Sequence, residues 1–384
     1  MSNVCIFSSQ YLPHMGGVER YTYNLARYLI RRGDRVTVVT SRIPGTKAHE
    51  VSEGIEIFRL PCLDLMNGRY PVLKPVGEFF RLHKKLMAKE FDLVMVNTRF
   101  YIHSVYGAFF ARRKGVRCIM VDHGTSHLNI HSRVGNLAVQ GVEHLLTVFD
   151  KLLCREFYGV SQACCEWIRH FHIQARGTLY NAVDLEEIEE VKQRKLTDFR
   201  EKYQIPEDGT VIGFTGRLLK EKGILQLVDA VKKLREEGQK VFLLIAGDGD
   251  ERETIENRSG EGIFLLGRLE FEEVIGMLKQ TDIFCLPSDS EGFSTSILEA
   301  AACGCYIVTT ERGGAKEMLL DPSYGMIIRK NDTETVTEAL RRVLPKEEYR
   351  RKAASKTYQR LKENYTWEIT AERVHRLAEG QKLV

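Results

Sequence analysis

The stretch IFCLPSDSEGFSTSILEAAACGCYIVTT, residues 283–310, reads as strand, loop, helix, strand. Its flanking runs, 283–288 and 306–310, are short, apolar and rich in branched or aromatic residues, as buried parallel strands are. Ile297-Leu298 and Ala300-Ala301-Ala302 give the intervening helix its core-facing positions. Parallel strands need such a crossover, so this unit sets the fold class as α/β. Glu291 and Glu299 stand on either side of Gly292, Phe293, Ser294, Thr295 and Ser296. A helix start leaves N–H groups unpaired and carries partial positive charge, which suits an anion, usually a phosphate. An ordinary Ser or Thr N-cap ahead of an amphipathic helix explains the same residues equally well.

Strands and helices alternate outward from this unit in both directions. Before Asn181 the strand candidates are VCIFSS, RVTVVTS, IEIFRL, DLVMVN, RCIMVDH, FYGVS and TLYN, with helical patterns over 17–31, 76–90 and 136–151. A charged, helix-prone segment, 185–204, ends at Ile205-Pro206 and joins the two halves. A second series follows: VIGFTG, VFLLIAG, IFLLG, IFCLPS, YIVTT and GMIIR, then a helical close over 332–380. Two open parallel sheets facing a cleft are expected, with ligands at the strand C-termini.

A chain of 384 residues makes about two domains and buries sizeable cores. No apolar run is long enough for a spanning helix. The start MSNVCIFSS lacks the basic and apolar regions of a signal peptide. The nine cysteines include no CxxC pair and read as reduced thiols of a cytosolic protein. Cys303-Gly-Cys305 is the nearest approach to a ligand pair, and it is weak. Charge divides unevenly. Residues 1–182 carry 24 Lys and Arg against 14 Asp and Glu, and residues 183–384 carry 32 against 38. The basic half suits nucleic acid or an anionic membrane. No base-stacking motif supports nucleic acid.

Four further constellations carry chemistry. Gly16 and Gly17 stand at the first strand–helix turn, where glycine permits close approach to a ligand. This is not GxGxxG, which disfavours a dinucleotide enzyme. In GRLLKEKG, 216–223, Arg217 and Lys222 lie just beyond a strand and suit a diphosphate, one by a planar fork and one by point charge. Asp248-Gly-Asp250 looks like a metal-binding DxD, but a turn with an N-cap is sufficient, and no carboxylate or His cluster supplies further ligands. His123 ends a strand, where an imidazole can polarise a hydroxyl or hold a sugar. His127 and His131 lie near it in sequence without zinc-like spacing.

Taken in order, Gly16-Gly17, His123, YNAVD (180–184), GRLLKEKG, GDGDE (247–251), LPSDSEGFSTSILEA (286–300) and RGG (312–314) resemble the retaining glycosyltransferases of family 4 (group 1). YTWEITAERV, 365–374, resembles that family's last helix. The resemblance spans nearly the whole chain and implies the GT-B fold, two Rossmann-like domains facing a central cleft. Residues 1–182, with a last helix over 366–384 crossing back, would bind the acceptor. Residues 183–365 would bind the nucleotide-sugar donor. It implies that Glu291 contacts donor-sugar hydroxyls and Glu299 the ribose. The N–H groups of Phe293 to Ile297 would cradle phosphate or sugar oxygens, beside Gly16, Gly17 and Gly216. Arg217 and Lys222 would neutralise the diphosphate, and His123 would orient sugar or acceptor. Catalytic roles thus fall to His123, Arg217, Lys222 and Glu291, with no metal and no cofactor beyond the sugar nucleotide. Ala182 replaces a commoner glycine, and Glu317 is retained near the donor pocket.

The expected reaction is front-face transfer of a sugar to a hydroxyl acceptor, such as a lipid-linked or cell-surface glycan precursor. The alternatives are a sugar-nucleotide epimerase and a catalytically silent sugar-nucleotide-binding subunit. Residues 70–90 alternate Val76, Phe79, Phe80, Leu82, Leu86 and Met87 with Arg81, Lys84, Lys85 and Lys89. That pattern predicts an interfacial helix and a cytoplasmic protein peripheral to the membrane. A helix packed on its own sheet has the same pattern.

Overall fold

A computed structural model of the chain describes residues 1–65, 70–127 and 133–383. The chain forms two compact units, one of residues 1–181 with the segment from Trp367 onward, the other of residues 182–366.

The first unit contains β1 (Asn3–Ser8), β2 (Arg35–Ser41), β3 (His49–Ser52), β4 (Ile55–Leu60), β5 (Cys62–Leu65), β6 (Tyr70–Leu73), β7 (Leu93–Asn97), β8 (Arg117–Asp122), β9 (Glu156–Gly159) and β10 (Gly177–Thr178). Eight of these make one sheet in the order β10-β9-β8-β7-β1-β2-β4-β3. Cys5 on β1 pairs with Thr37 of β2 on one side and Val94 of β7 on the other, all parallel. The run VCIFS is buried on both faces, which explains its unbroken apolar character. β3 departs from the all-parallel expectation. It pairs antiparallel with β4 through Glu53 and Gly54, both at positive φ, as a two-residue type I′ hairpin requires. β5 and β6 form a separate antiparallel pair.

Helix Gly17–Arg31 covers this sheet with Tyr21, Leu25, Ala26 and Leu29 buried. Helix Trp367–Ala378, at the end of the chain, packs on it. The Trp367 ring meets Tyr21 edge-on at 5.2 Å, and His375 Nδ1 lies 2.8 Å from Asp34. The last helix therefore returns to the first unit.

The amphipathic pattern of 76–90 has a different outcome from the interfacial one expected. Helix Gly77–Met87 buries Leu82 and Leu86, and Phe79 and Met87 pack against the same core. Burying each such side chain stabilises the fold by about 1.5–3 kcal/mol, so the core keeps the stripe. Of the apolar residues in the pattern, Val76 and Phe80 face outward. The larger exposed apolar face lies instead on helix Arg133–Leu153, where Leu137, Leu145, Val148, Phe149 and Leu152 are all exposed. No helix among the described residues is long and apolar enough to cross a membrane.

The second unit holds β11 (Thr210–Thr215), β12 (Val241–Ala246), β13 (Ile263–Gly267), β14 (Ile283–Leu286), β15 (Tyr306–Thr310) and β16 (Met326–Ile328). They form one parallel sheet ordered β13-β12-β11-β14-β15-β16. Sequence direction reverses between β11 and β14, so their carboxyl ends open a crevice. The segment 185–204 is two short helices, not one. Asp184 and Asp198 each cap a helix start, accepting from Glu187 N–H and Glu201 N–H at 2.9 Å. Each cap contributes about 1 kcal/mol. No disulfide joins the cysteines among the described residues, and Cys5, Cys164, Cys285 and Cys305 are fully inaccessible.

Candidate active site

Two loops meet at the reversal point of the second sheet. The loop after β11 runs from Gly216 to Gly223, and that after β14 from Pro287 to Ser294. A Cβ on Gly223, at φ +69°, would sit 2.0 Å from the Pro287 carbonyl oxygen. Glycine alone lets the loops touch there. Asp289 N–H and the Ser288 hydroxyl both donate to the Glu221 carbonyl, at 2.7 and 3.1 Å. These bonds bring Lys222 Nζ to 2.6 Å from Glu291 Oε1, both side chains more than four-fifths buried. Arg217, in the same loop as Lys222, is exposed, and no partner for its guanidinium exists among the described residues.

The carboxyl side of the site is fixed by RGG. Gly314 N–H donates to the Gly292 carbonyl at 3.1 Å. A Cβ on Gly313 would clash with that carbonyl, and one on Gly314 with the Phe293 ring. Phe293 is buried edge-on against Tyr365 at 4.9 Å, so its ring anchors the loop. Helix Thr295–Ala302 begins here. Ser294 occupies the N-cap position, but its side chain makes no cap bond, in contrast to the ordinary N-cap reading. Helix geometry leaves the N–H groups of Thr295, Ser296 and Ile297 pointing out of that end. Glu299 lies one turn further on, 7% exposed.

The Asp248-Gly-Asp250 turn braces the Arg217 loop. Gly247 and Gly249 pack so closely on Gly216 and Leu218 that a Cβ on either would fall 1.9 or 2.6 Å from their carbonyl oxygens. Leu218 N–H donates to the Asp248 carbonyl at 2.9 Å. Asp248 Oδ1 accepts from Gly249 N–H at 2.9 Å and lies 3.7 Å from Arg252. The expected N-cap is not formed, because Glu251 holds that position and makes no cap bond.

Gly16, Gly17 and His123 belong to the first unit. Gly16 caps helix Gly17–Arg31, and a Cβ there would sit 2.5 Å from Glu19 Oε2. Glu19 is buried in the first helical turn, where the helix dipole favours a carboxylate. A Cβ on Gly17 would meet open space. His123 follows β8, its ring edge-on to Tyr21 at 4.7 Å. Its Nε2 is 3.3 Å from Asn97 Oδ1, and Asn97 Nδ2 donates to Thr22 Oγ1 at 2.7 Å. An amide oxygen accepts, so Nε2 carries the proton and Nδ1 the lone pair. Burial pushes the imidazole down to about 3, so it is neutral at pH 7.

Several residues at the β7 and β8 ends have no signal in the sequence. Thr98 and Phe100 adopt φ of 66° and 62°, uncommon for such side chains and usual only where the surroundings enforce it. Arg99, 1% exposed, is held by Asp122 at 2.5 Å and Glu143 at 2.8 Å, and lies over the Phe171 ring. The histidines also depart from expectation. His127, His144 and His170 come together from three separate segments, with one ring nitrogen of each within 4.8 Å of the others. His131 lies outside the described residues.

A doubly wound parallel sheet with paired charges at its reversal point is the α/β class whose ligands bind at the carboxyl ends of the strands. Residues 15–187 match the family model for Glycosyltransferase Family 4, and residues 196–360 that for Glycosyl transferases group 1. The chain belongs to the group 1/family 4 glycosyltransferases. It is 28% identical to the GPI3 subunit of phosphatidylinositol N-acetylglucosaminyltransferase from Saccharomyces cerevisiae, covering 83% of this chain and 70% of that one. Among solved structures it is similar to sucrose-phosphate synthase from Thermosynechococcus elongatus, with TM-score 0.78, 19% identity and 99% of each chain covered. It is likewise similar to Anabaena HepE in complex with UDP-glucose, with TM-score 0.74, 16% identity, and 99% and 100% covered. The fold is the two-domain GT-B type.

Proposed function

We propose that this glycosyltransferase moves a hexosyl group from a nucleoside-diphosphate sugar to a hydroxyl acceptor with retention of anomeric configuration, without a catalytic metal. The observation that supports it is the Lys222–Glu291 pair at the reversal point of the second sheet, in a loop that also carries the exposed Arg217. A diphosphate entering there meets two cations and an uncapped helix start. Lys222 turns from Glu291 to the phosphate, and Glu291 becomes an acceptor for sugar hydroxyls. Glu299 takes the ribose hydroxyls. The anomeric carbon–phosphate oxygen bond breaks, the acceptor oxygen bonds to that carbon on the same face, and its proton passes to the leaving phosphate. His123, neutral, offers the Nδ1 lone pair to a hydroxyl and orients it.

The test is a screen of UDP-, GDP- and ADP-sugars, reading nucleotide release and the anomeric configuration of the product by NMR. Release that needs an acceptor, with retained configuration, is expected. No release from any donor means a catalytically silent binding protein, and free epimerised sugar without acceptor means an epimerase. Transfer should also persist in EDTA, because fixed cations do at the diphosphate what a metal does elsewhere. Loss of turnover in EDTA, restored by Mn²⁺, would overturn the metal-free mechanism.

The acceptor in this reading is lipid-linked, and the protein meets it peripherally on the cytoplasmic membrane face. Similarity to the phosphatidylinositol N-acetylglucosaminyltransferase chain of Saccharomyces cerevisiae supports this, as does the apolar face of helix Arg133–Leu153. That face adjoins an open groove of about 590 Å³, lined by Ile102, Phe109, Phe149 and Leu152 with Arg112 at its edge. Apolar side chains flanked by cations are the pattern of an interfacial surface. Co-sedimentation with anionic liposomes should occur at low salt and fall as salt rises. Leu145→Glu with Leu152→Glu should abolish it, and Lys84, Lys85 and Lys89→Glu should only weaken it. Protein that stays in the supernatant at low salt points to a soluble acceptor.

A further inference from the structure

We propose that His127, His144 and His170 form a binding site for one divalent transition-metal ion of the zinc class, apart from the donor-binding loops. The three ligands come from the loop after β8, from helix Arg133–Leu153 and from the short 3₁₀ turn Ile168–Phe171. One ring nitrogen of each lies within 4.8 Å of the other two. Ligand atoms of a tetrahedral zinc, at about 2.0–2.1 Å from the metal, stand roughly 3.3–3.4 Å apart. His144 and His170 are exposed and can close that difference by side-chain rotation, while His127 is the fixed member.

What fixes His127 is the second observation. Its Nδ1 lies 2.7 Å from Glu143 Oε2, a carboxylate 3% exposed. A neutral imidazole that donates Nδ1–H to a buried carboxylate presents its Nε2 lone pair outward, in a set orientation and with raised basicity. That carboxylate–histidine arrangement is the usual support of a metal-ligating imidazole. Glu143 is itself held by Arg99 at 2.8 Å. Trp167 stacks on His170 with planes 6° apart and meets His127 edge-on at 5.0 Å, so one indole packs against two of the three ligands. Three imidazoles with an open fourth position favour zinc, copper, nickel or cobalt over magnesium or calcium, which take oxygen ligands.

An ion here ties together three segments of the first unit. Its outer support continues through Glu143 and Arg99 to Asp122, whose Oδ1 accepts from Gly124 N–H at 3.0 Å. Asp122 and Gly124 flank His123, so the ion braces the loop that carries it.

The experiment is titration of the tag-free full chain with Co²⁺ alone, reading visible d–d absorption, followed by displacement with Zn²⁺ against a chromophoric chelator. The expected result is one ion per chain, tetrahedral in its spectrum and displaced by Zn²⁺. His144→Ala and His170→Ala each lower the affinity at least about tenfold, and Glu143→Gln on the order of 10–100-fold. Because His144 and His170 are exposed, their variants keep the fold, and circular dichroism verifies this. Absence of saturable Co²⁺ absorption, or unchanged affinity in both histidine variants, overturns the site. Neither readout uses a sugar nucleotide, so the result is independent of the transferase reading.

Discussion

Arg217→Ala and Lys222→Ala are each expected to lower the rate of sugar transfer on the order of 10²–10³-fold, the usual effect of deleting one preorganised charge contact to a developing anion. In the proposed reaction charge builds on the diphosphate as the glycosidic bond breaks, and both cations would meet it. Arg217 is exposed, so its removal should change stability by less than about 0.5 kcal/mol. Lys222 differs, because its loss also removes a partner of Glu291 at 2.6 Å. The two variants should therefore separate in thermal unfolding while agreeing in turnover. Steady-state kinetics on the full chain checks this, and near-wild-type kcat in both variants would sink the donor assignment.

Glu299→Gln and Glu291→Gln are expected to divide binding from transfer. A hydrogen bond to a charged acceptor is worth about 1.5–3 kcal/mol, hence on the order of 10–100-fold in Kd. Glu299→Gln should show that loss in calorimetry with the free nucleoside diphosphate, because the proposed partner of Glu299 is the ribose. Glu291→Gln should leave the nucleoside diphosphate affinity nearly unchanged, since the contact proposed for it is to the sugar, and lower kcat with the intact donor. Equal calorimetric losses in both variants would contradict these roles.

The doubly wound architecture is legible in the sequence because its strands are buried on both faces and therefore spelled as apolar runs. VCIFS, VIGFT and IFCL carry that mark directly. The placing of the Lys222 and Glu291 loops at strand carboxyl ends is legible for a related reason, whereas the ion pair between the two residues emerges only in the structure. Helix Gly77–Met87 misleads because an apolar stripe looks the same whether a membrane or the protein's own core covers it. Only the tertiary neighbours of Phe79 and Leu82 decide. Thr98 and Phe100 leave no trace because positive φ is announced in sequence mainly by glycine. The histidine cluster is hidden for want of a local spacing, its members arriving from a loop, a long helix and a 3₁₀ turn. The restart at Asp198 is hidden because the continuous charged run 185–204 reads as a single helical segment.

Helix Trp367–Ala378 has a bearing on how the gene can be cut. Residues 182–366 interrupt a unit that begins before them and resumes after them, and Val183 bridges in parallel to Thr366 at the two ends of the interruption. Topologically the second unit is an insert with adjoining termini, the arrangement that tolerates excision or exchange as a cassette. A fragment stopped at residue 181 would lack Trp367, which is 1% exposed against Tyr21 in the whole chain, and would bare the face of helix Gly17–Arg31. Chimaeras that exchange the second unit should therefore be joined at both crossings, with the native last helix kept.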